Sequence, residues 1–390
     1  MKNKMRVIID GEIYHYQSRG GISRIFNEII PRMCGQDDSL DIALLTRGDT
    51  RQPLPRHQRV EYINASPLSR RLCSERISGF FAPGATWLAA LLLERRLRGR
   101  QDSIWHSSYY TLPEKWRGPI VMLVPDMIHE FFPELFTGKE NDRFRERKER
   151  CVRAADYVLS ISETTARDIE RVYKLDRKKI RVIPLACTDA FYPLGESCSD
   201  PVLAGSKPFL LYVGPRVHYK NFDMLLDAYH RWPGNKDVDL VVVSYAWTQK
   251  ESQTLVRMGI SDKVRVMSKV DDKSLCRLYN RASAFVYPSL YEGFGIPLLE
   301  ALTCGCPVIA SRIPSSIEIA GDCPFYFDPE NGSELIRCFD RALSEGRNRE
   351  RVNKGFEQAK QYSWDRTAAQ TLEVYRELSL NLQRTQKNLV

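Results

Sequence analysis

A chain of 390 residues is longer than one ordinary hydrophobic core accommodates and comfortable for two domains. Hydrophobic residues at 43% and charged residues at 27% exclude a disordered chain, and the longest apolar run, near residues 87–93, is too short to span a membrane. The net charge of +9 is uneven: residues 1–190 hold 33 Lys and Arg against 25 Asp and Glu, and the remainder 25 against 24. That asymmetry suits an anionic membrane or a phosphorylated substrate, and no nucleic-acid motif accompanies it.

From the N-terminus, residues 6–10 (RVIID), 41–46 (DIALLT), 103–106 (SIWH), 120–124 (IVMLV), 157–161 (YVLSI) and 180–183 (IRVI) read as strands, with helices at 22–33 and 164–173. The first strand follows two lysines with no apolar leader, so secretion is not expected and the ten cysteines should be reduced thiols in a cytoplasmic protein. Cys304 and Cys306 lack the spacing of a zinc site, and no Asp-x-Asp pair ends a strand, so no metal is expected. Residues 80–100 (FFAPGATWLAALLLERRLRGR) set Trp87 and leucines beside four arginines, either a core helix with a basic end or a helix lying on an anionic membrane.

Residues 192–207 (YPLGESCSDPVLAGSK) have the composition of a linker. A second series follows, with strands at 209–213, 238–244, 264–267, 284–287 and 308–311 and helices at 222–231 and 273–281. The alternation predicts two α/β units with parallel sheets, facing each other across a cleft: a first domain at 1–195 and a second at 205–364. A last helix begins near Trp364 with an apolar stripe of Ala368, Leu372, Val374, Tyr375 and Leu378, placed either to pad the second domain or to brace the first.

The sharpest signal is residues 287–311, YPSLYEGFGIPLLEALTCGCPVIAS. A strand ends in a loop carrying Glu292, Gly293, Phe294 and Gly295, Pro297 suits a first helical turn, and Glu300 follows with seven residues between it and Glu292. Two carboxylates so placed can each accept hydrogen bonds from hydroxyl pairs of one ligand, while glycines and a helix N-terminus favour an anion. Taken singly, Glu292 is a solvated loop charge and Glu300 a helix-start acid.

A second segment, residues 211–222 (LYVGPRVHYKNF), puts Arg216 and Lys220 on a turn after a strand, where two cations could hold a diphosphate. A third, residues 10–24 (DGEIYHYQSRGGISR), places Gly20 and Gly21 between the first strand and first helix, a usual ligand position in α/β folds. Residues 160–165 (SISETT) read equally as a helix cap or as cleft residues through Ser162 and Glu163.

The paired-Glu segment resembles the signature of the retaining GT-B glycosyltransferases that include many bacterial polysaccharide and lipopolysaccharide enzymes. The resemblance extends to the Gly-Gly loop, the Arg216/Lys220 element and the tryptophan-led last helix. It implies an α/β GT-B fold whose last helix, 365–390, crosses back to the first domain. It also implies a nucleotide-diphosphate sugar donor, a glycan acceptor that would be lipid-linked, and no separate cofactor. Glu292 should then sit by the donor sugar, backbone amides of Gly293, Phe294 and Gly295 by sugar and phosphate, and Glu300 on the ribose. Arg216 and Lys220 should clamp the diphosphate in place of a metal, with the leaving phosphate taking the acceptor proton.

One departure stands out. The family often carries a histidine before an aspartate in the first domain, and here the text is Pro125–Asp126, which makes Asp126 the candidate for that contact, ahead of His129 and His106. A nucleotide-sugar epimerase and a non-catalytic nucleotide-sugar-binding subunit are the alternative readings.

Overall fold

A computed structural model describes residues 4–17, 20–46, 48–64, 97, 99–113, 115–195 and 207–387. Most of the apolar basic stretch at residues 80–100, including Trp87, Arg95, Arg96 and Arg98, lies outside them. Of its described members, Leu97 is buried and Arg100 pairs with Glu61 at 2.8 Å.

In the first unit β1 (Met5–Asp10), β2 (Leu40–Thr46), β3 (Val60–Asn64), β4 (Ile104–Ser107), β5 (Ile120–Val124), β6 (Tyr157–Ser160) and β7 (Ile180–Val182) form one parallel sheet, ordered β3-β2-β1-β4-β5-β6-β7. Its centre is covered on both faces, which is why β5 can be apolar and buried at every position. Around it lie α1 (Ile13–Tyr16), α2 (Gly21–Gln36), α3 (Ile128–Phe131), α4 (Lys139–Ala154) and α5 (Glu163–Tyr173). The strand order reverses between β1 and β4, so the ends of these neighbouring strands open onto a crevice.

The second unit repeats the design with β8 (Phe209–Val213), β9 (Asp239–Val243), β10 (Val264–Met267), β11 (Ala284–Tyr287), β12 (Val308–Ser311) and β13 (Phe325–Phe327), all parallel and ordered β10-β9-β8-β11-β12-β13. The helices that matter below are α6 (Phe222–Arg231), α7 (Gln249–Arg257), α8 (Asp272–Arg281), α9 (Ile296–Thr303), α10 (Pro314–Ala320), α11 (Gly332–Glu345), α12 (Arg349–Ala359) and α13 (Trp364–Lys387). Here the reversal falls between β8 and β11, so the Arg216/Lys220 turn and the Glu292 loop leave adjacent strands at the switch point.

The last helix crosses back. Along α13 the stripe Ala368, Leu372, Val374, Tyr375 and Leu378 is buried and packs against α2. Polar contacts fix its register: Thr367 Oγ1 donates to the Pro184 carbonyl at 2.7 Å, Arg376 pairs with Asp37 at 2.7 Å, and the Tyr375 hydroxyl meets His106 Nδ1 at 2.5 Å. His106 therefore lies in this seam between Phe26 and Tyr375, and burial holds its ring neutral by pushing its pKa down to about 3. The eight cysteines among the described residues are free thiols. No helix of the described residues is long and apolar enough to cross a membrane.

Tyr375→Phe removes the hydroxyl partner of a buried imidazole whose Nε2 already has none, and should lower the urea-unfolding free energy by about 1–3 kcal/mol. Leu380→Ala on the exposed side of α13 should stay within about 0.5 kcal/mol of the parent.

Candidate active site between the two sheets

The Glu292 loop begins at the end of β11, where Ser289 Oγ donates to Glu292 Oε1 at 2.6 Å. From the neighbouring turn after β8, Lys220 Nζ reaches the same oxygen at 2.6 Å. Both side chains are mostly buried, Glu292 to 9% and Lys220 to 16% exposure, so each needs the other: an unpaired charge here would cost several kcal/mol. Leu290 N–H donates to the Tyr219 carbonyl at 2.8 Å and joins the two loops directly.

Gly293 meets the first domain. A β-carbon there would stand 2.0 Å from the Pro125 carbonyl oxygen and 3.0 Å from the Asp126 β-carbon, so only glycine permits this approach. Its carbonyl accepts from Ser162 Oγ at 2.5 Å and Thr165 Oγ1 at 3.1 Å. Ser162 also caps α5 through the Thr165 N–H, so it serves as cap and interdomain contact together. Glu163 turns outward to Arg177, while its N–H and that of Thr164 bind the Glu318 carboxylate of α10 at 2.7 and 2.9 Å, an acid seated on a helix N-terminus. The Tyr291 hydroxyl completes the seam on Asp168 at 2.9 Å.

Gly295, at φ +124°, makes the turn into α9. The Phe294 ring points away from the cleft into the core, edge-on to Tyr362 at 5.6 Å, which leaves only its backbone to the site. Asp126 sits directly across the seam from Gly293 and accepts from Ile128 N–H at 3.1 Å, while Lys148 Nζ, paired with Glu130, holds the Asp126 carbonyl at 2.8 Å. His129 is stacked between Phe136 and Phe144.

Glu300 lies one helical stretch deeper, on α9, with 5% of its side chain exposed. The Tyr279 hydroxyl donates to Oε2 at 3.1 Å, and Arg24 of the first domain reaches Oε1 at 3.3 Å while also pairing with Asp272. Burial pushes the Glu300 carboxyl up to about 7, with Arg24 pulling the other way. Although burial opposes it, the Arg24 guanidinium is held firmly charged by Glu300 and Asp272. Arg24 stands on the first turn of α2 behind Gly20 and Gly21. Those two glycines are exposed, and the helix start is met by Gln17 Oε1, which accepts from Ser23 N–H at 3.2 Å.

Arg216 is engaged elsewhere. Its fork grips Glu251 at 2.6 and 3.1 Å and the carbonyls of Tyr245 and Ala246, and it stacks on Trp247 at 4.3 Å. The Arg216 hydrogen bond holds the Glu251 carboxyl down at about 2. A diphosphate would have to compete with Glu251 for Arg216, whereas Lys220 need release only Glu292. The structure thus gathers Asp126, Lys220, Glu292, Gly293 and Gly295, sets Glu300 behind Arg24, and pairs Arg216 with Glu251. Sequence reading missed Arg24 as a site residue; its place three residues after Gly21 on a helix facing the cleft was the available signal.

The sequence profile of glycosyl transferases group 1 matches residues 199–359, and that of glycosyltransferase family 4 matches residues 19–188. O-antigen chain mannosyltransferase B of Escherichia coli is 30% identical over 290 residues, 72% of this chain and 76% of that protein. Among solved structures, a sucrose-phosphate synthase from Thermosynechococcus elongatus superposes with a TM-score of 0.76 at 18% identity, covering 96% of this chain and 99% of that one. Anabaena HepE in complex with UDP gives 0.70 at 16% identity, covering 96% of this chain and all of that one, 100%. The chain belongs to the group 1, family 4 glycosyltransferases, a retaining hexosyltransferase family of GT-B fold.

Two expectations follow from this geometry. Gly293→Ala cannot keep the Pro125 contact, so it should lower unfolding free energy by about 1–3 kcal/mol and reduce turnover, both read on the purified variant. For Glu300, the folded chain holds a proton between pH 4.5 and about 7 that the unfolded chain has lost, so its contribution to stability falls as pH rises through that window. Relative to Glu300→Gln, the ligand-free parent should lose up to about 3 kcal/mol between those limits in urea titrations. A pH-independent difference contradicts the raised value.

Proposed function

We propose that this chain transfers a mannose-type hexose, with retained anomeric configuration, from a nucleoside diphosphate donor to a glycan acceptor. The acceptor is proposed to be lipid-linked, as in surface polysaccharide or O-antigen assembly. The likeness to a mannosyltransferase of O-antigen chains supports the sugar and the setting. The observation that carries the chemistry is the buried Lys220–Glu292 pair at 2.6 Å, at the switch point of the second sheet.

In this reading the diphosphate draws Lys220 away from Glu292, and the freed carboxylate accepts hydrogen bonds from the sugar. The bond from the anomeric carbon to the phosphate oxygen breaks, and its electron pair leaves with the diphosphate, whose growing charge Lys220 and the loop amides stabilise without a metal. The acceptor oxygen bonds to the anomeric carbon on the same face, and its proton passes to the departing phosphate oxygen. Asp126, across the seam from Gly293, borders the sugar on the first-domain side. Glu300 holds the ribose hydroxyls once Arg24 has moved aside. The basic excess of residues 1–190 suits an acceptor carried on a lipid pyrophosphate.

Lys220→Ala and Glu292→Gln should each lower kcat by about 10²–10³-fold in a product assay with GDP-mannose and UDP-hexoses, with circular dichroism unchanged. Conversion of donor with no acceptor present, or full turnover in both variants, contradicts the proposal.

A further inference from the structure

Beside Glu300 lie two thiols that the transfer chemistry does not use. Cys276 on α8 and Cys304, where α9 ends, are both buried, with their sulfurs 3.8 Å apart. We propose that they are a peroxide-sensitive pair whose closure to a disulfide displaces the Tyr279–Glu300 hydrogen bond and weakens donor binding. The oxidation site stands on its own geometry, while its effect on the donor deepens the glycosyl-transfer reading and rests on it.

Two helices set the pair. Cys276 precedes Tyr279 by three residues on α8, and Cys304 follows Glu300 by four. Each thiol is therefore about one turn from an end of the bond that the Tyr279 hydroxyl donates to Glu300 Oε2 at 3.1 Å. On the second helix the link is direct, because the Cys304 N–H donates to the Glu300 carbonyl at 3.1 Å. A covalent S–S bond is about 2 Å long, so closure pulls α8 and the end of α9 toward each other at this turn. A hydrogen bond between groups in a close-packed interior has little slack to absorb such a shift.

The surroundings favour reaction at Cys276. Asn280 Nδ2 donates to its sulfur at 3.5 Å, and the Cys304 thiol can donate to it across the 3.8 Å gap, so a thiolate there has two donors. In the thiol form Cys276 itself donates to the Tyr192 carbonyl at 3.5 Å. With the Cys304 hydrogen bond as the main cause and burial opposing it, the Cys276 thiol is held down at about 6, and the same bond pushes Cys304 up. The pair gives up one proton readily and keeps the second. Among the described residues, a cavity of about 470 Å³ reaches Cys304 and Asn280, two of the groups in contact with the Cys276 sulfur. Exposed Arg281 and Arg349 line it as well, so it opens to solvent, and hydrogen peroxide needs little more room than water.

Hydrogen peroxide is the oxidant, and one molecule closes one bridge. The Cys276 thiolate sulfur attacks a peroxide oxygen, the O–O bond breaks, and the leaving hydroxide takes up a proton to become water. Cys276 is then a sulfenic acid. The Cys304 sulfur attacks it, the S–S bond forms as the S–O bond breaks, and hydroxide leaves with the Cys304 proton as a second water. Two electrons pass from the thiol pair to the peroxide. The free thiols of the structure are the reduced state of this couple, and a dithiol reductant returns the oxidised chain to it.

Peroxide titration of the full chain, read by mass spectrometry and by binding of UDP and GDP, tests this. The parent should lose two hydrogens, with its tryptic residues 274–277 joined to 282–312, and dithiothreitol should reverse both changes. Affinity for the nucleoside diphosphate that the reduced chain binds should fall about tenfold on oxidation and recover on reduction. Cys276→Ser and Cys304→Ser should bind it as the reduced parent does, before and after peroxide. Absence of the joined peptides, a bridge through Cys187, or a bridge that persists in Cys304→Ser overturns the proposal. So does a bridged parent that binds as tightly as the reduced one while Glu300→Gln binds weakly. Should Glu300→Gln itself bind as the parent does, the ribose assignment beneath the proposal is what fails.

Discussion

The backbone approach at Gly293 is the constraint on which the site depends. Two sheets can share a ligand only if their loops meet closely, and at this position the second domain comes within one missing side chain of Pro125. The Gly293 carbonyl is then held by two hydroxyls at the start of α5, so the contact is directional as well as close. Because Glu292 precedes Gly293 and Asp126 follows Pro125, that one contact sets the catalytic candidates of both domains face to face.

Around this seam the charges form a self-satisfied set. Lys220 answers Glu292, Arg24 answers Glu300 and Asp272, and Arg216 answers Glu251. Glu292 and Glu300 are the deeply buried acids of the set, with 9% and 5% of their side chains exposed, and a sugar donor brings replacements for the partners they now have: hydroxyls for the acids and phosphate oxygens for the cations. Arg24 matters most in this exchange, because it belongs to the first domain and grips an acid of the second. Domain approach and access to Glu300 are thereby tied to one side chain.

Much of this was legible in the sequence. Strands such as IVMLV and FLLYV are apolar throughout because both sheet faces are covered, and Pro297 with Gly305 bounds α9 for local reasons that survive folding. The stripe of α13 was also readable; its residues alone left open which domain it braces, the family resemblance implied the first, and the hydroxyl contact to His106 and the packing on α2 bear that out. α4 passed unseen because it is charged nearly all round, burying only Lys148, Cys151 and Val152. β3 passed unseen because only Val60 and Ile63 of its five residues face the core. In the site, the paired acids and Lys220 lie in short motifs, whereas Arg24 meets Glu300 across 276 positions and Arg216 meets Glu251 across 35. No spacing rule reports such pairings, since they arise from the packing of whole helices.

A crystal structure of the chain with an intact nucleoside diphosphate hexose is the most direct measurement. The ribose hydroxyls should lie on Glu300 with Arg24 withdrawn from it, and the diphosphate should lie on Lys220 with Glu292 turned to the sugar. A donor bound elsewhere, with the Arg24–Glu300 and Lys220–Glu292 pairs both intact, would contradict the assignment.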